Sequence, residues 1–401
     1  MITQFNRSAY TGQLTRDMLA RVDSIIQNED YPMTDSSAIN AEMYVEAATT
    51  SIFEHYLGEY GAKIANCLAE ANREMPPIVR ALIGENSYCR PQVPDRQISW
   101  GITRRDNKLK VALLVEKPNS HAASVADSIK AAYQGSVIRF TAARAHSSPP
   151  QHRVPRTEWS LAPGSSIAHK EGFPGSIGCL VRSLDDGEDW PGLVSASHVL
   201  SKSNRAKSGD AILVPGHPDG PRINTNQCGS LARFLLLADY DQEALESNYL
   251  CCTDAALVKF ERQKSCRHTL PDATYVPDPK DPDKLMPVCE VIGGDVVAER
   301  LGERVYKIGR TTGLTEGVLE LVGVQRQIIL INSKEYVYTN VLGVRPIPGS
   351  VTPFSRPGDS GSLVYTHDGK GIGLIIGGNE DISWLSPLDA CLSELNVKLL
   401  N

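Results

Sequence analysis

The sequence predicts a multi-domain chain, an N-terminal α/β (α+β) domain followed by an all-β portion. Three observations carry that expectation. A stretch near the start places apolar residues at steps of four, the spacing of one helix face. Two alternating runs follow it. Beyond about residue 165 the chain becomes short apolar runs cut by glycine and proline, the pattern of many short strands. For 401 residues, two or three domains are expected at about 100–200 residues each.

Taken in order, Ile52, Tyr56, Tyr60, Ile64 and Leu68 line one side of the first helix, and Met75-Pro76-Pro77 stops it. "QISWGIT" and "KLKVALLVEK" read as strands joined through the polar turn "RRDNK". "AASVADSIKAAY" reads as a helix and "GSVIRFTAAR" as a third strand. These elements make up a domain over residues 1–145. "AHSSPPQHRVPRTEWSLAPGSS" is rich in proline, serine and arginine without a hydrophobic period, so residues 146–164 are assigned to a linker or extended arm. The remainder, 165–401, holds roughly six strands on each side of the polar stretch "PDATYVPDPKDPDK", which argues a barrel or a sandwich. A helical segment, "SPLDACLSELNVKLL", closes it.

Composition excludes several classes. The formal charge of −6, with basic residues scattered, gives no footprint for nucleic acid. No apolar run approaches the roughly 18 residues of a membrane span, and the first residues lack the apolar centre of a secretory signal. The nine cysteines are odd in number and irregularly spaced, which reads as reduced thiols in a cytoplasmic protein. Cys251, Cys252, Cys266, His268 and Cys289 include no Cys-x-x-Cys pair, so no metal is assigned. Gly309, Gly313 and Gly317 lack phosphate-loop spacing and are read as turn and packing residues. No cofactor is expected.

The chemistry centres on Gly358-Asp359-Ser360-Gly361. By itself this is also an ordinary turn, because glycine permits positive φ and short polar side chains bond their own backbone. A serine nucleophile needs a base, and histidine, with a reference pKa of about 6.5, can take and return the proton. Of nine histidines, His198 ends the apolar run "GLVSASHVLS", with His169 as its main rival. Asp254 stands directly before the apolar run "AALVKF", where a carboxylate is costly without a partner.

These three, in the order His198, Asp254, Ser360, resemble the trypsin-like (chymotrypsin-fold) serine peptidases. "SASHVL", "TDAALV" and "RPGDSGSLV" are similar to the family's three catalytic segments, and the resemblance covers about residues 160–395. "SIAHKEGFPGSIGCLVR" and "YKIGRTTGLTEGVL" look closest to intracellular bacterial trypsin-like peptidases and to related plant peptidases that affect leaf shape. The resemblance implies a chymotrypsin-like double β-barrel, the first barrel at about 165–260 and the second at about 288–395. It implies an endopeptidase acting through His198, Asp254 and Ser360, with the Gly358 and Ser360 N–H groups as oxyanion hole. The same resemblance puts the substrate pocket at Phe354, Ser355, Ile375, Ile376 and Gly377, which suits an uncharged side chain. No segment resembles the cleaved amino terminus that activates secreted members, so a preformed hole or another activation route is implied.

Protein or peptide substrates are the expected partners, with an upstream activating protease or regulatory protein beside them, and neither nucleic acid nor membrane. An intracellular protease has to be restrained, and the arm carrying Arg144, Arg153 and Arg156 is a candidate cleavage switch or strap, making the protein a zymogen. The alternative is a catalytically inactive trypsin-fold module that binds peptides or signals. An α/β-hydrolase is excluded, since it needs Gly-x-Ser-x-Gly and the order Ser, Asp, His.

Overall fold

The computed structural model describes residues 98–147 and 161–401, apart from 107, 121–122, 124–125, 128–129, 131–136, 186–189, 221–226, 238–252, 261–270, 294–296, 326 and 339. The N-terminal helix, Arg153 and Arg156 lie outside the described residues, as do Cys251, Cys252, Cys266 and His268. The chain forms two units, divided between Thr141 and Ala142.

In the first unit, β1 (Ile98–Arg105) and β2 (Lys108–Val115) form an antiparallel hairpin with Arg105 opposite Lys108. Asp106 turns the corner at φ 53°, a conformation that short polar residues tolerate. β3 (Val137–Thr141) pairs parallel to β2, which demands a crossover, and helical residues including Ala123 and Ala126 lie between them. Ala112 to Val115, Ala123 and Ala126 are buried.

The second unit opens with the short strand β4 (Ala145–Ser147). Next come β5 (Ser166–His169), β6 (Gly175–Ser176), β7 (Cys179–Ser183), β8 (Pro191–Ser195), helix α1 (Ser197–Leu200), β9 (Ala211–Leu213), β10 (Gln227–Phe234) and β11 (Ala256–Phe260). The ladder runs β6-β5-β9-β10-β11-β8-β7 and curls as a half-barrel. Ile167, Leu180, Leu193, Val214, Leu231 and Val258 fill its interior, each contributing about 1.5–3 kcal/mol as burial of a large aliphatic side chain does.

The stretch between the barrels, read as polar from the sequence, folds as a hairpin of β12 (Tyr275–Asp278) and β13 (Asp281–Pro287). β13 is largely exposed while Val276 and Pro277 are buried, so the apolar signal sits on one strand alone. After β14 (Glu290–Val291) come β15 (Arg304–Gly309), β16 (Gly313–Gln325), β17 (Gln327–Ile331), β18 (Lys334–Tyr338), β19 (Val341–Pro346), β20 (Leu363–Thr366), β21 (Lys370–Gly378) and β22 (Ser383–Pro387). The pairings β15-β16-β19-β22-β21-β20 return to β15, a closed six-stranded barrel. Helix α2 (Leu388–Glu394) then leads to β23 (Val397–Leu399). The final segment is therefore helical only in its first half, and β23 pairs with β7 in the other barrel. A cluster containing Cys179, Val181, Leu257, Leu363, Leu374, Leu388 and Leu392 draws on both barrels. The arrangement is a chymotrypsin-like double β-barrel.

Candidate active site

His198 is presented by a helical turn rather than by the strand end expected from the apolar run. β8 stops at Ser195, and the small residues Ser195, Ala196 and Ser197 allow the chain to bend tightly into α1. The Ser195 hydroxyl donates to Ser176 O at 2.7 Å and that of Ser197 to Leu235 O at 2.7 Å, which fixes the turn. Asp254, buried just before β11, grips His198 twice. Its Oδ1 accepts from the His198 backbone N–H at 2.9 Å, and its Oδ2 from Nδ1 at 2.7 Å. The Tyr338 hydroxyl donates to the same Oδ2 at 3.0 Å. Burial alone would push the Asp254 carboxyl up. Attraction to His198 and these donors outweigh it and hold the carboxyl below its ordinary value. A carboxylate at Nδ1 keeps the proton there and leaves Nε2 as the acceptor of the neutral ring.

The rival His169 is a structural residue. It is buried, with its Nε2 3.2 Å from Asp210 and its Nδ1 accepting from the Glu171 N–H at 3.0 Å. Burial holds its pKa below the ordinary value.

Ser360 sits on a turn flanked by Gly358 at φ 99° and Gly361 at φ 86°. A Cβ on Gly361 would meet Ser195 Oγ at 2.2 Å and Ser176 O at 2.7 Å, so only glycine fits there. The turn is pinned from both sides. Ser176 donates its N–H to Ser360 O at 2.8 Å and its hydroxyl to Gly358 O at 3.0 Å, and the Gly361 N–H donates to Ile375 O at 2.7 Å. Among the described residues, neither the Gly358 N–H nor the Ser360 N–H donates to a protein acceptor, the state required of an oxyanion hole.

Asp359, fully buried, accepts from the Thr311 N–H at 2.8 Å, the Thr312 hydroxyl at 2.7 Å and the Arg356 N–H at 3.0 Å, with Lys307 Nζ at 3.5 Å. Lys307 also donates to Thr312 Oγ1 and to Gly313 O. Burial pulls its ammonium below the ordinary pKa, against the attraction of Asp359. The sequence reading missed Lys307, although a signal existed: in β15 it shares the inward phase with Val305 and Gly309. A second buried ion pair, Arg310 with Asp219, has both contacts at 2.5 Å and connects the loop after β15 to Ser166 of β5.

The expected pocket residues are all buried. Ser355 Oγ lies 2.6 Å from Ser383 Oγ, and β21 carries Ile375, Ile376 and Gly377 beside Ser360. The Ser360 hydroxyl is 3.3 Å from Ile376 O.

Between base and serine stands an unexpected group. Ser147 Oγ lies 3.0 Å from His198 Nε2 and 3.0 Å from Ser360 Oγ. Its position falls in the stretch read as a linker, where polar composition hid a three-residue strand. Arg144, the described member of the arginine set, pairs with Glu335 at 2.6 Å on the surface. Among the described residues no cluster of three or more metal-ligating side chains occurs, and no helix is long and apolar enough to cross a membrane.

No family model matches the chain, and no curated protein matches it. Solved structures do. Protease A of Thermobifida fusca is similar at 16% identity and a TM-score of 0.38, over 60% of this chain and 99% of that one. The Nocardiopsis protease NAPase is similar at 16% identity and a TM-score of 0.39, over 60% of this chain and all of that one (100%). A glutamic-acid-specific serine protease is similar at 15% identity and a TM-score of 0.39, over 59% of this chain and 99% of that one.

Proposed function

We propose that the protein is a serine endopeptidase that hydrolyses peptide bonds in proteins or peptides through His198, Asp254 and Ser360. One observation carries the reading: a buried Asp254–His198 pair and Ser360, on a glycine-flanked turn, converge on one point, each 3.0 Å from the Ser147 hydroxyl, and among the described residues the Gly358 and Ser360 N–H groups have no protein acceptor. Ser360 Oγ attacks the carbonyl carbon and its proton passes to Nε2. The carbonyl oxygen, now an anion, accepts from Gly358 and Ser360, each donor being worth about 2.7–4 kcal/mol in the transition state. The intermediate expels the amine, which takes the proton from His198 and leaves an acyl-serine. Water repeats the steps and frees the acid. Asp254 holds the ring and stabilises the imidazolium.

Phe354, Ser355, Ile375, Ile376 and Gly377 carry no charge, which supports an uncharged substrate side chain beside Ser360. A reducing, cytoplasmic setting belongs to the same proposal; among the described residues Cys179, Cys289 and Cys391 carry free thiols, in keeping with it. The segment that contacts the site from the N-terminal side supports a zymogen released by an activating protease or a regulatory protein.

The test is labelling with a fluorophosphonate probe, read by intact mass on the full chain. A single adduct that is lost in Ser360→Ala is expected. An adduct that persists in that variant would overturn the reading.

A further inference from the structure

β4 has a strand on either edge. Ala145, His146 and Ser147 pair in parallel with Ile329, Leu330 and Ile331 of β17, while His146 lies antiparallel to Gly378 of β21. On the β21 side the fit is close, since a Cβ on Gly377 would come within 2.9 Å of His146 O. Asn379 Nδ2 donates to Ala143 O at 2.5 Å, and the Asn332 N–H to Ser147 O at 3.3 Å. Ala145 is completely buried.

We propose that β17 and β21 are the two walls of a slot for an extended peptide, and that Ala143–Ser147 is its internal occupant, seated in a register that cannot react. With the Asp254 carboxylate holding the proton on Nδ1, the Ser147 hydroxyl donates to His198 Nε2 and accepts from Ser360. The Ser147 hydroxyl thereby occupies the place at Nε2 that Ser360 would need for direct proton transfer. The group offered to Ser360 is an alcohol, which has no carbonyl for it to attack, and the Ser147 carbonyl is turned to the Asn332 N–H rather than to Gly358 and Ser360. The occupant is three residues of strand anchored at the surface by Arg144–Glu335, short enough for another peptide strand to replace. Being tethered, it competes at an effective concentration in the millimolar range. The slot therefore selects extended backbone, and access to it is the controlled step. The slot and its occupant stand on strand pairing alone; the consequence for rate rests on the peptidase reading.

The test uses the full chain. Ala145→Asp puts an unpaired carboxylate at a completely buried position and should expel the strand, while Arg144→Glu faces Glu335 at the surface and should loosen it without disturbing the fold. A fluorescein-labelled peptide of residues 142–148 is titrated against wild type and both variants by anisotropy, each also in a Ser360→Ala background. Binding at least about tenfold tighter to Ala145→Asp than to wild type is expected, with Arg144→Glu between them and a scrambled peptide weak throughout. Fluorophosphonate labelling should accelerate in the same order. Equal peptide affinity in all three proteins, or none in any, overturns the slot and its occupant. Tighter peptide binding to the variants with no labelling of any protein leaves the slot standing and sinks the peptidase reading instead. Tighter binding with labelling as fast in wild type as in the variants sinks the blocking role of Ser147.

Discussion

On one side of the site, the carboxylate of Asp254 is held by His198, which the proposed mechanism asks to take up and release a proton, and by a tyrosine hydroxyl from β18. On the other, the carboxylate of Asp359 is held by backbone and threonine donors and by an ammonium that touches no reacting group. Both aspartates are buried, yet the depressed pKa values of Asp254 and of Lys307 act on stability with opposite sign. The folded pKa of Asp254 is depressed, so its stabilisation is complete above the ordinary carboxylate range and is lost as pH falls through the folded value. The folded pKa of Lys307 is also depressed, but for a base this is a penalty: it is present in full below the folded value and is relieved as pH rises from there toward the ordinary lysine value. One cluster holds the histidine that the proposed mechanism would charge, the other holds the Ser360 turn.

The largest effect that breaks this comparison is on rate. Asp254→Asn should keep the fold and lower peptide hydrolysis on the order of 10⁴-fold by favouring the wrong tautomer of His198, measured as kcat on a released-strand background. A loss below tenfold would put Asp254 on the same static footing as Asp359. Next, Lys307→Met leaves a buried carboxylate without its cation, and breaking such a pair costs about 3–5 kcal/mol. Because Asp359 keeps its N–H and O–H donors, the lower end is expected, read by urea unfolding at pH 7. Activity should fall with it as the Ser360 turn loosens, and an unchanged unfolding midpoint would show that the backbone donors suffice alone. The smallest effect sharpens the other side. Tyr338→Phe removes one hydrogen bond to a charged oxygen, a loss of about 1.5–3 kcal/mol, and raises the Asp254 pKa. The acid limb of its stability curve should then be smaller and end at higher pH than in wild type, its onset being set by the unfolded carboxylate, while the limb governed by Lys307 stays where it was.

What could be read from the sequence follows the same division. His198, Asp254 and Ser360 were legible because each needs its own local setting: a tight turn of small residues, an aspartate before a buried strand, a glycine-flanked serine. The all-β character of the second unit was legible as strand-sized apolar runs, while its division into two barrels came only with the resemblance. Lys307, Tyr338, Asp219 and Arg310 were not, since a buried polar residue is defined by a partner far along the chain and no local pattern names that partner. Ser147 was hidden more thoroughly, because β4 is held by the edges of β17 and β21 through its backbone and needs no apolar alternation of its own. The bend of His198 into α1 and the hairpin of β12 and β13 escaped for a smaller reason, namely that short elements carry too few residues to establish a period.

The pairing of β23 with β7 bears on synthesis. The strand that completes the edge of the His198 barrel lies downstream of Ser360 and of every strand in the closed barrel. On a ribosome the first barrel is made early but waits for Val397–Leu399 before that edge is covered, a contact of very large sequence separation and therefore slow to form. The elements that carry His198 and Ser360 thus mature together, so that on the proposed reading a chain still being translated has no complete site.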